Sequence, residues 1–320
     1  MTVATAVAHP NIALVKYWGK RDLERNLPAV SSLSLTLDGF RTETTVQRGA
    51  EVDVVRFGGR DASDKERRRT LAFLDRLEPG RPAVVVDTAN TFPTGAGLAS
   101  SASGFAALVL AYEAARGGDL DRVRLSRLAR EGSGSACRSL WGGFVLWRRG
   151  EAADGSDSHG QPVAAHPSLD LALLVAVVTT EGKAVGSTEG MERSRLSSPL
   201  WETWVAQAES DVDAGLAALQ AGDLAVLGRV MESSTLKMHA AMMTSDPPLL
   251  YWQPGTVALL HAVWRLRASG VPCWCTMDAG PQVKVLCPRG VAAEVAEALR
   301  PHAQVVHVLG PGPDASVRVG

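Results

Sequence analysis

Residues 32–37, Ser-Leu-Ser-Leu-Thr-Leu, alternate polar and apolar side chains with the two-residue period of a strand. Residues 41–47 and 52–57 repeat the pattern and are expected to pair with it, with Asp38-Gly39 as a hairpin turn. Ala83-Val84-Val85-Val86-Asp87 predicts a further strand. The charged run from Asp64 to Arg69 opens a short helix through Leu74 and presents a solvated face. Helical periodicity covers residues 99–116 and 121–130, and residues 142–147 return to strand. Residues 151–166, polar and rich in Gly, Asp and Ala, read as a loop. An unbroken apolar strand spans residues 171–179. From Ser198 the period becomes helical, at 199–219, 224–243 and 254–268. Strands at 273–277 and 283–286, a helix at 291–299 and a strand at 304–309 follow. Strands dominate the first half and helices the second, which is α+β ordering rather than βαβ alternation. The division falls near residue 180, giving expected domains of residues 1–180 and 181–320.

Composition narrows the function classes. Of 320 residues, 46% are hydrophobic and 21% charged, ample for packed cores. A formal net charge of −1 argues against a nucleic-acid partner. No apolar run reaches membrane-spanning length, and Met1-Thr2-Val3-Ala4 lacks the basic start of a secretory signal, so a cytoplasmic location is expected. Cys273 and Cys275 flank Trp274 inside an apolar run, Cys137 and Cys287 stand apart, and none has zinc-ligand spacing. His9 and His239 are read as packing or hydrogen-bonding residues.

The densest chemistry lies in residues 92–105, Phe-Pro-Thr-Gly-Ala-Gly-Leu-Ala-Ser-Ser-Ala-Ser-Gly-Phe, between a predicted strand and an apolar helix. Glycines let a backbone approach a ligand closely, and the unpaired amides of a helix start suit a phosphate. Ser100, Ser101 and Ser103 can complete such a cradle, and Ser100 can contact a magnesium ion. A plain turn with a serine cap is the alternative. The segment matches neither G-x-x-x-x-G-K-[ST] nor G-x-G-x-x-G. Near the N-terminus, the stretch from Asn11 to Asp22 ends an apolar strand in Lys16, Tyr17, Trp18, Lys20 and Arg21. These groups offer charge and hydrogen bonds to phosphate, or simply meet solvent. Gly132-Ser133-Gly134-Ser135-Ala136-Cys137-Arg138-Ser139 makes a second nest before a helix start, with Arg138 placed for a carboxylate. A capped helix-to-helix connection is the alternative there. Residues 181–191 follow the long apolar strand and carry Lys183, Ser187 and Thr188. Asp278 closes an apolar strand at Ala279-Gly280-Pro281, as a turn former or as a functional carboxylate.

Taken in order, five segments resemble the mevalonate diphosphate decarboxylase family. They are N-I-A-L-x-K-Y-W-G-K-R-D, P-T-x-A-G-L-A-S-S-A-S-G, S-G-S-A-C-R-S, K-x-x-x-S-T-x-G-M and T-M-D-A-G-P-x-V-K-V-L. The serine-rich loop is similar to the phosphate-wrapping loop of the wider galactokinase, homoserine kinase and mevalonate kinase (GHMP kinase) superfamily. The likeness runs from about Ala6 to Gly310, with Val30 departing from the Asn that many members carry.

The resemblance implies a GHMP-kinase-like two-lobed fold, with an N-terminal domain of sheet on helices, a ferredoxin-like C-terminal domain and a cleft between them. It also implies ATP and Mg2+, mevalonate 5-diphosphate as substrate, and a homodimer. The implied reaction phosphorylates the 3-hydroxyl and loses phosphate and carbon dioxide, giving isopentenyl diphosphate for isoprenoid biosynthesis. Asp278 would act on the 3-hydroxyl and Arg138 on the carboxylate, with Lys20 in the catalytic set. Tyr17, Trp18, Gly19, Lys20, Arg69, Ser133, Gly134, Ser135, Ala136, Cys137, Arg138 and Thr188 would hold the substrate. Gly97, Leu98, Ala99, Ser100, Ser101, Ser103, Lys183 and Ser187 would meet ATP. Alternatives are a mevalonate 5-phosphate decarboxylase, a 3-kinase of the same fold, or a non-catalytic ATP-binding module. Asp278, Lys183 and Gly97-Leu98 all being present favours a catalyst.

Overall fold

In the computed structural model, which describes residues 2–92 and 100–320, alternating burial sorts the strands into sheets. The first half begins with β1 (Thr2–Ala8), β2 (Asn11–Val15), β3 (Lys20–Asp22), β4 (Leu27–Pro28), β5 (Ser32–Thr36) and β6 (Thr42–Arg48). It continues with β7 (Val54–Phe57), β8 (Arg60–Asp61), α1 (Asp64–Leu77), β9 (Val84–Asn90), α2 (Ser100–Ala115) and α3 (Arg122–Gly132). A 3-10 turn (Gly134–Arg138), β10 (Phe144–Trp147) and β11 (Gly160–Val163) complete it. The second half opens with β12 (Leu171–Val177), α4 (Ser187–Ser197), α5 (Trp201–Ala221), α6 (Leu224–Met243) and α7 (Pro254–Ala268). Then come β13 (Trp274–Met277), β14 (Val283–Pro288), α8 (Ala292–Leu299), β15 (Val305–Leu309) and β16 (Ser316–Val319). The composition is α+β, as expected.

A sheet in the order β16-β1-β6-β9-β7-β8 packs Ala4, Ala6, Val46, Val84 and Val86 against α2. From Phe105 to Ala115 that helix is buried on every face, and its one carboxylate, Glu113, is paired with Arg116 and Arg124. Ser100 and Ser101, at its start, are only partly buried.

β5 belongs to a different sheet, β11-β10-β5-β2, and this corrects the expected hairpin. β6 pairs with β1 and β9, and β7 with β9, so Asp38-Gly39 carries the chain from one sheet to another. Leu33, Leu35 and Leu37 enter a core, but the hydroxyl face of β5 is buried as well. Ser34 and Thr36 donate to the carbonyls of Val145 and Trp141. A period of two reports which face is apolar, not which strand lies alongside. Two further corrections concern elements that sequence patterning passed over: β11 lies inside the predicted loop, and α4 precedes the first predicted helix of the second half.

The remaining large sheet, β13-β14-β12-β15, is covered on both sides. Leu171, Leu173, Val175 and Val177 of β12 join a core with α5 and α6, while Ala172, Leu174 and Ala176 join another with α7 and α8. Two covered faces account for the unbroken apolar run. The first of these cores also takes in Ile12, Leu14, Leu33 and Leu35, and β12, which ends before residue 180, pairs with β14 and β15 beyond it, so both sheet pairing and packing cross that position. β16 then returns to pair with β1.

Candidate active site

β13 ends at Met277, and Asp278 follows in the turn with its side chain 33% exposed. β2 leads into Lys16, whose ammonium donates to Asp278 Oδ1 at 2.7 Å. Lys284 on β14 places its Nζ 3.0 Å from Oδ2. Both lysines are 1% exposed. Burial favours the neutral acid, but the charges of Lys16 and Lys284 outweigh it and hold Asp278 well below the usual carboxylate range. Burial also pulls Lys16 down to about 8, with Asp278 opposing and Lys284 adding to the fall.

Arg138 ends the 3-10 turn and points inward. Its Nε donates to Asn11 Oδ1 at 3.0 Å and its Nη1 to Ser32 Oγ at 2.6 Å, and the guanidinium lies 5.6 Å from the Trp147 ring centre. Burial disfavours the charged form, while Asp278 and neighbouring groups favour it. The cluster holds more positive than negative charge, a field that attracts an anion. Beneath it, Ser234 Oγ on α6 accepts from the Lys16 amide, and the Thr235 and Thr276 hydroxyls meet at 2.8 Å. His239 accepts from Trp252 through Nδ1, and burial, helped by Lys16, pushes it down to about 3, so the ring is neutral.

The rim is built of hydroxyls and longer basic side chains. Tyr17 buries its hydroxyl without a partner, and a Cβ at Gly134 would lie 2.7 Å from that oxygen. Lys20 donates to Thr188 Oγ1 at 3.4 Å, and Lys183 to Ser187 Oγ at 2.8 Å and Ala279 O at 3.1 Å. The start of α4 thereby meets the Asp278 turn. Ser133 donates to Ser101 at 3.3 Å, and Arg69 donates to Gly132 O while stacking 4.6 Å over Phe105. Beside Ser100 and Ser101 opens a cavity of about 520 Å³ lined by Thr44, Phe57, Asn90, Phe92 and Phe105.

A family model described as the diphosphomevalonate decarboxylase-like N-terminal domain matches residues 8–160. A second, the mevalonate 5-diphosphate decarboxylase C-terminal domain, matches residues 173–308. This chain belongs to the diphosphomevalonate decarboxylase family. Diphosphomevalonate decarboxylase mvd1 of Aspergillus fumigatus is 39% identical over 307 residues, covering 88% of this chain and 76% of its own. A solved chain described as MDDEF in complex with MVAPP, AMPPCP and magnesium has a TM-score of 0.93 and 38% identity, with 99% of each chain covered. The mevalonate diphosphate decarboxylase from Enterococcus faecalis gives a TM-score of 0.92 at 37% identity, again over 99% of each chain. The chain shares the GHMP-kinase-like fold of these decarboxylases.

Within this decarboxylase fold, Arg138 lies close to Asp278 and Tyr17, Lys183 joins Ser187 to the Asp278 turn, Lys20 meets Thr188, and Ser133 meets Ser101. Other residues of the expected site are packed against the protein itself. Trp18 is 1% exposed and gives its indole N–H to Ser194. Ala136 and Cys137 are fully buried, and burial pushes the thiol up to about 12. Gly19, at φ +107°, packs under the Trp201 ring. Ser103 is also fully buried, and its hydroxyl, 2.6 Å from Thr42 Oγ1, ties α2 to β6. The expected helix before Arg138 is a single 3-10 turn. Gly97, Leu98 and Ala99 lie outside the described residues.

Sequence reasoning missed Lys16 and Lys284 as the partners of Asp278, and Asn11 and Ser32 as those of Arg138. A lysine inside the apolar run Val283-Lys284-Val285-Leu286 was the available signal.

Proposed function

We propose that this chain uses ATP to phosphorylate the 3-hydroxyl of mevalonate 5-diphosphate and then releases phosphate and carbon dioxide, giving isopentenyl diphosphate. The observation that carries the reading is Asp278 held between two buried lysines near Arg138, in a family with a solved member bound to MVAPP, AMPPCP and magnesium. A tertiary alcohol yields a poor leaving group until it is phosphorylated. Departure of that phosphate leaves positive charge on carbon 3, and the bonding pair freed as carbon dioxide leaves quenches it.

Asp278 accepts a hydrogen bond from the 3-hydroxyl. A carboxylate held so far below its usual range is a weak proton acceptor, so its first task is orientation. That suits a loose phosphoryl-transfer transition state, in which positioning and charge do most of the work. Arg138 meets the substrate carboxylate, with Asn11 and Ser32 fixing the plane of its fork. Tyr17, with its buried unpartnered hydroxyl, joins Lys20, Arg69, Ser133, Ser135 and Thr188 around the diphosphate. Lys183 and Ser187 face the transferring group, Ser100 and Ser101 the nucleotide phosphates, and the adjoining cavity takes the nucleoside. Ser100 would help hold a magnesium ion, which would supply charge neutralisation on the phosphates. By family resemblance the protein would be a homodimer, which light scattering on the purified protein tests.

The deciding experiment supplies ATP and magnesium with mevalonate 5-diphosphate, the 5-phosphate or free mevalonate. Equal ADP and carbon dioxide from the diphosphate are expected. ADP without carbon dioxide would make the protein a 3-kinase, and product from the 5-phosphate alone would move the substrate.

A further inference from the structure

β14 inserts one ammonium group into an otherwise apolar strand. In the antiparallel register Lys284 lies opposite Thr276, and Asp278 stands two residues beyond Thr276, a diagonal position within reach of a long side chain. The two ammonium groups on Asp278 come from different sheets. Lys16 follows β2 of β11-β10-β5-β2 and takes Oδ1, while Lys284 belongs to β13-β14-β12-β15 and sits on Oδ2. With one partner a carboxylate keeps broad freedom about its terminal torsion. With a partner on each oxygen its plane is set.

We propose that Lys284 is a positioning residue for phosphoryl transfer, fixing the second oxygen of Asp278 so that the carboxylate stays in line with the 3-hydroxyl. This rests on the reaction proposed above. The turn that presents Asp278 leads directly into the strand that holds it, so the hairpin carries both the reacting-site carboxylate and its brace. Other charged groups face Asp278 from their own elements: Arg138 from the 3-10 turn and Lys183 from the segment before α4. His239 on α6 is neutral. Among the described residues, only Lys16 and Lys284 make ion-pair contact with Asp278.

The test compares Lys284→Met, Lys284→Gln and Lys284→Arg with the parent across pH. In the Met and Gln variants kcat should fall about tenfold or more with KM values within about threefold, and the acid limb of kcat should move up by about one pH unit. Lys284→Arg, which keeps the charge, should leave that limb in place. A lower melting temperature with an unmoved limb would mean that Lys284 is only structural and would overturn the proposal. If Lys284→Met fails to fold, the Gln variant reads the same limb. Carbon-13 NMR titration of the Asp278 carboxyl needs no turnover. A midpoint that does not rise in the Gln variant overturns the positioning role, whereas a parent that makes no ADP and carbon dioxide overturns only the reaction.

Discussion

The two walls of the cleft deal with negative charge by opposite means. The wall around the start of α2 offers hydroxyls, aromatic rings and the exposed guanidinium groups of Arg60 and Arg69 beside an open cavity of about 520 Å³. The wall around Asp278 offers charges buried to 1% exposure and fixed before any ligand arrives. Hydroxyls and solvent-exposed charges can hold a polyphosphate and release it. Prefixed charges act where charge changes during reaction and need no rearrangement at that moment. Damage to the first wall should therefore appear mainly in KM for ATP, and damage to the second mainly in kcat.

The hardest test of that contrast is Asp278→Asn, which keeps the side-chain shape but removes the charge. It should bind both ligands by calorimetry yet lose at least about a hundredfold in kcat. A folded variant within threefold or so of the parent rate would remove Asp278 from the mechanism. Arg138→Lys keeps a charge but not the fork that Asn11 and Ser32 orient, and should lose about tenfold or more in kcat. On the other wall, a Ser100→Ala/Ser101→Ala double variant should raise KM for ATP several-fold and lower stability by only about 1 kcal/mol. A large drop in melting temperature with unchanged kinetics would make both serines mere caps.

Lys16 gives a gentler, pH-dependent separation. Its folded value of about 8 lies below the roughly 10.4 of an unfolded lysine, so the folded state sheds that proton first. This group therefore adds stability as pH rises between the two values. Activity should fall to about half near pH 8 as the ammonium is lost, without a matching fall in melting temperature. Parallel losses on calorimetric and kinetic scans would contradict this. The smallest kinetic effect is expected for Ser103→Ala, which breaks the link to Thr42 and should cost about 1 kcal/mol of stability with activity within about twofold.

Ser103 also marks where sequence stopped informing. Its type and spacing are those of Ser100 and Ser101, but the turn of the helix carries it against β6. Helices with long apolar periodicity were legible, and α6 and α7 occupy the expected residues. For Asp278 and Arg138 the residues alone left a turn former and a capped connection open, and the family resemblance is what singled them out. Trp18 was ambiguous in sequence because an aromatic in a basic segment suits a ligand as well as a core, and its burial against α5 is a contact far away in the chain. The sheet of β5 and the brace on Asp278 depend on contacts far apart in sequence, which periodicity does not encode.

β16 carries a consequence for how the protein is made. Its pairing of Val317 with Ala6 and Val319 with Ala4 means that the sheet supporting α2 receives an edge strand from the far end of the chain. Domains generally fold as the ribosome releases them, N-terminal portion first. Here β1 must wait through the synthesis of the whole second half with one row of amides and carbonyls unpaired, the kind of edge on which chains aggregate. A chain without residues 316–319 would thus carry its defect in the first sheet to emerge, the one that packs against α2.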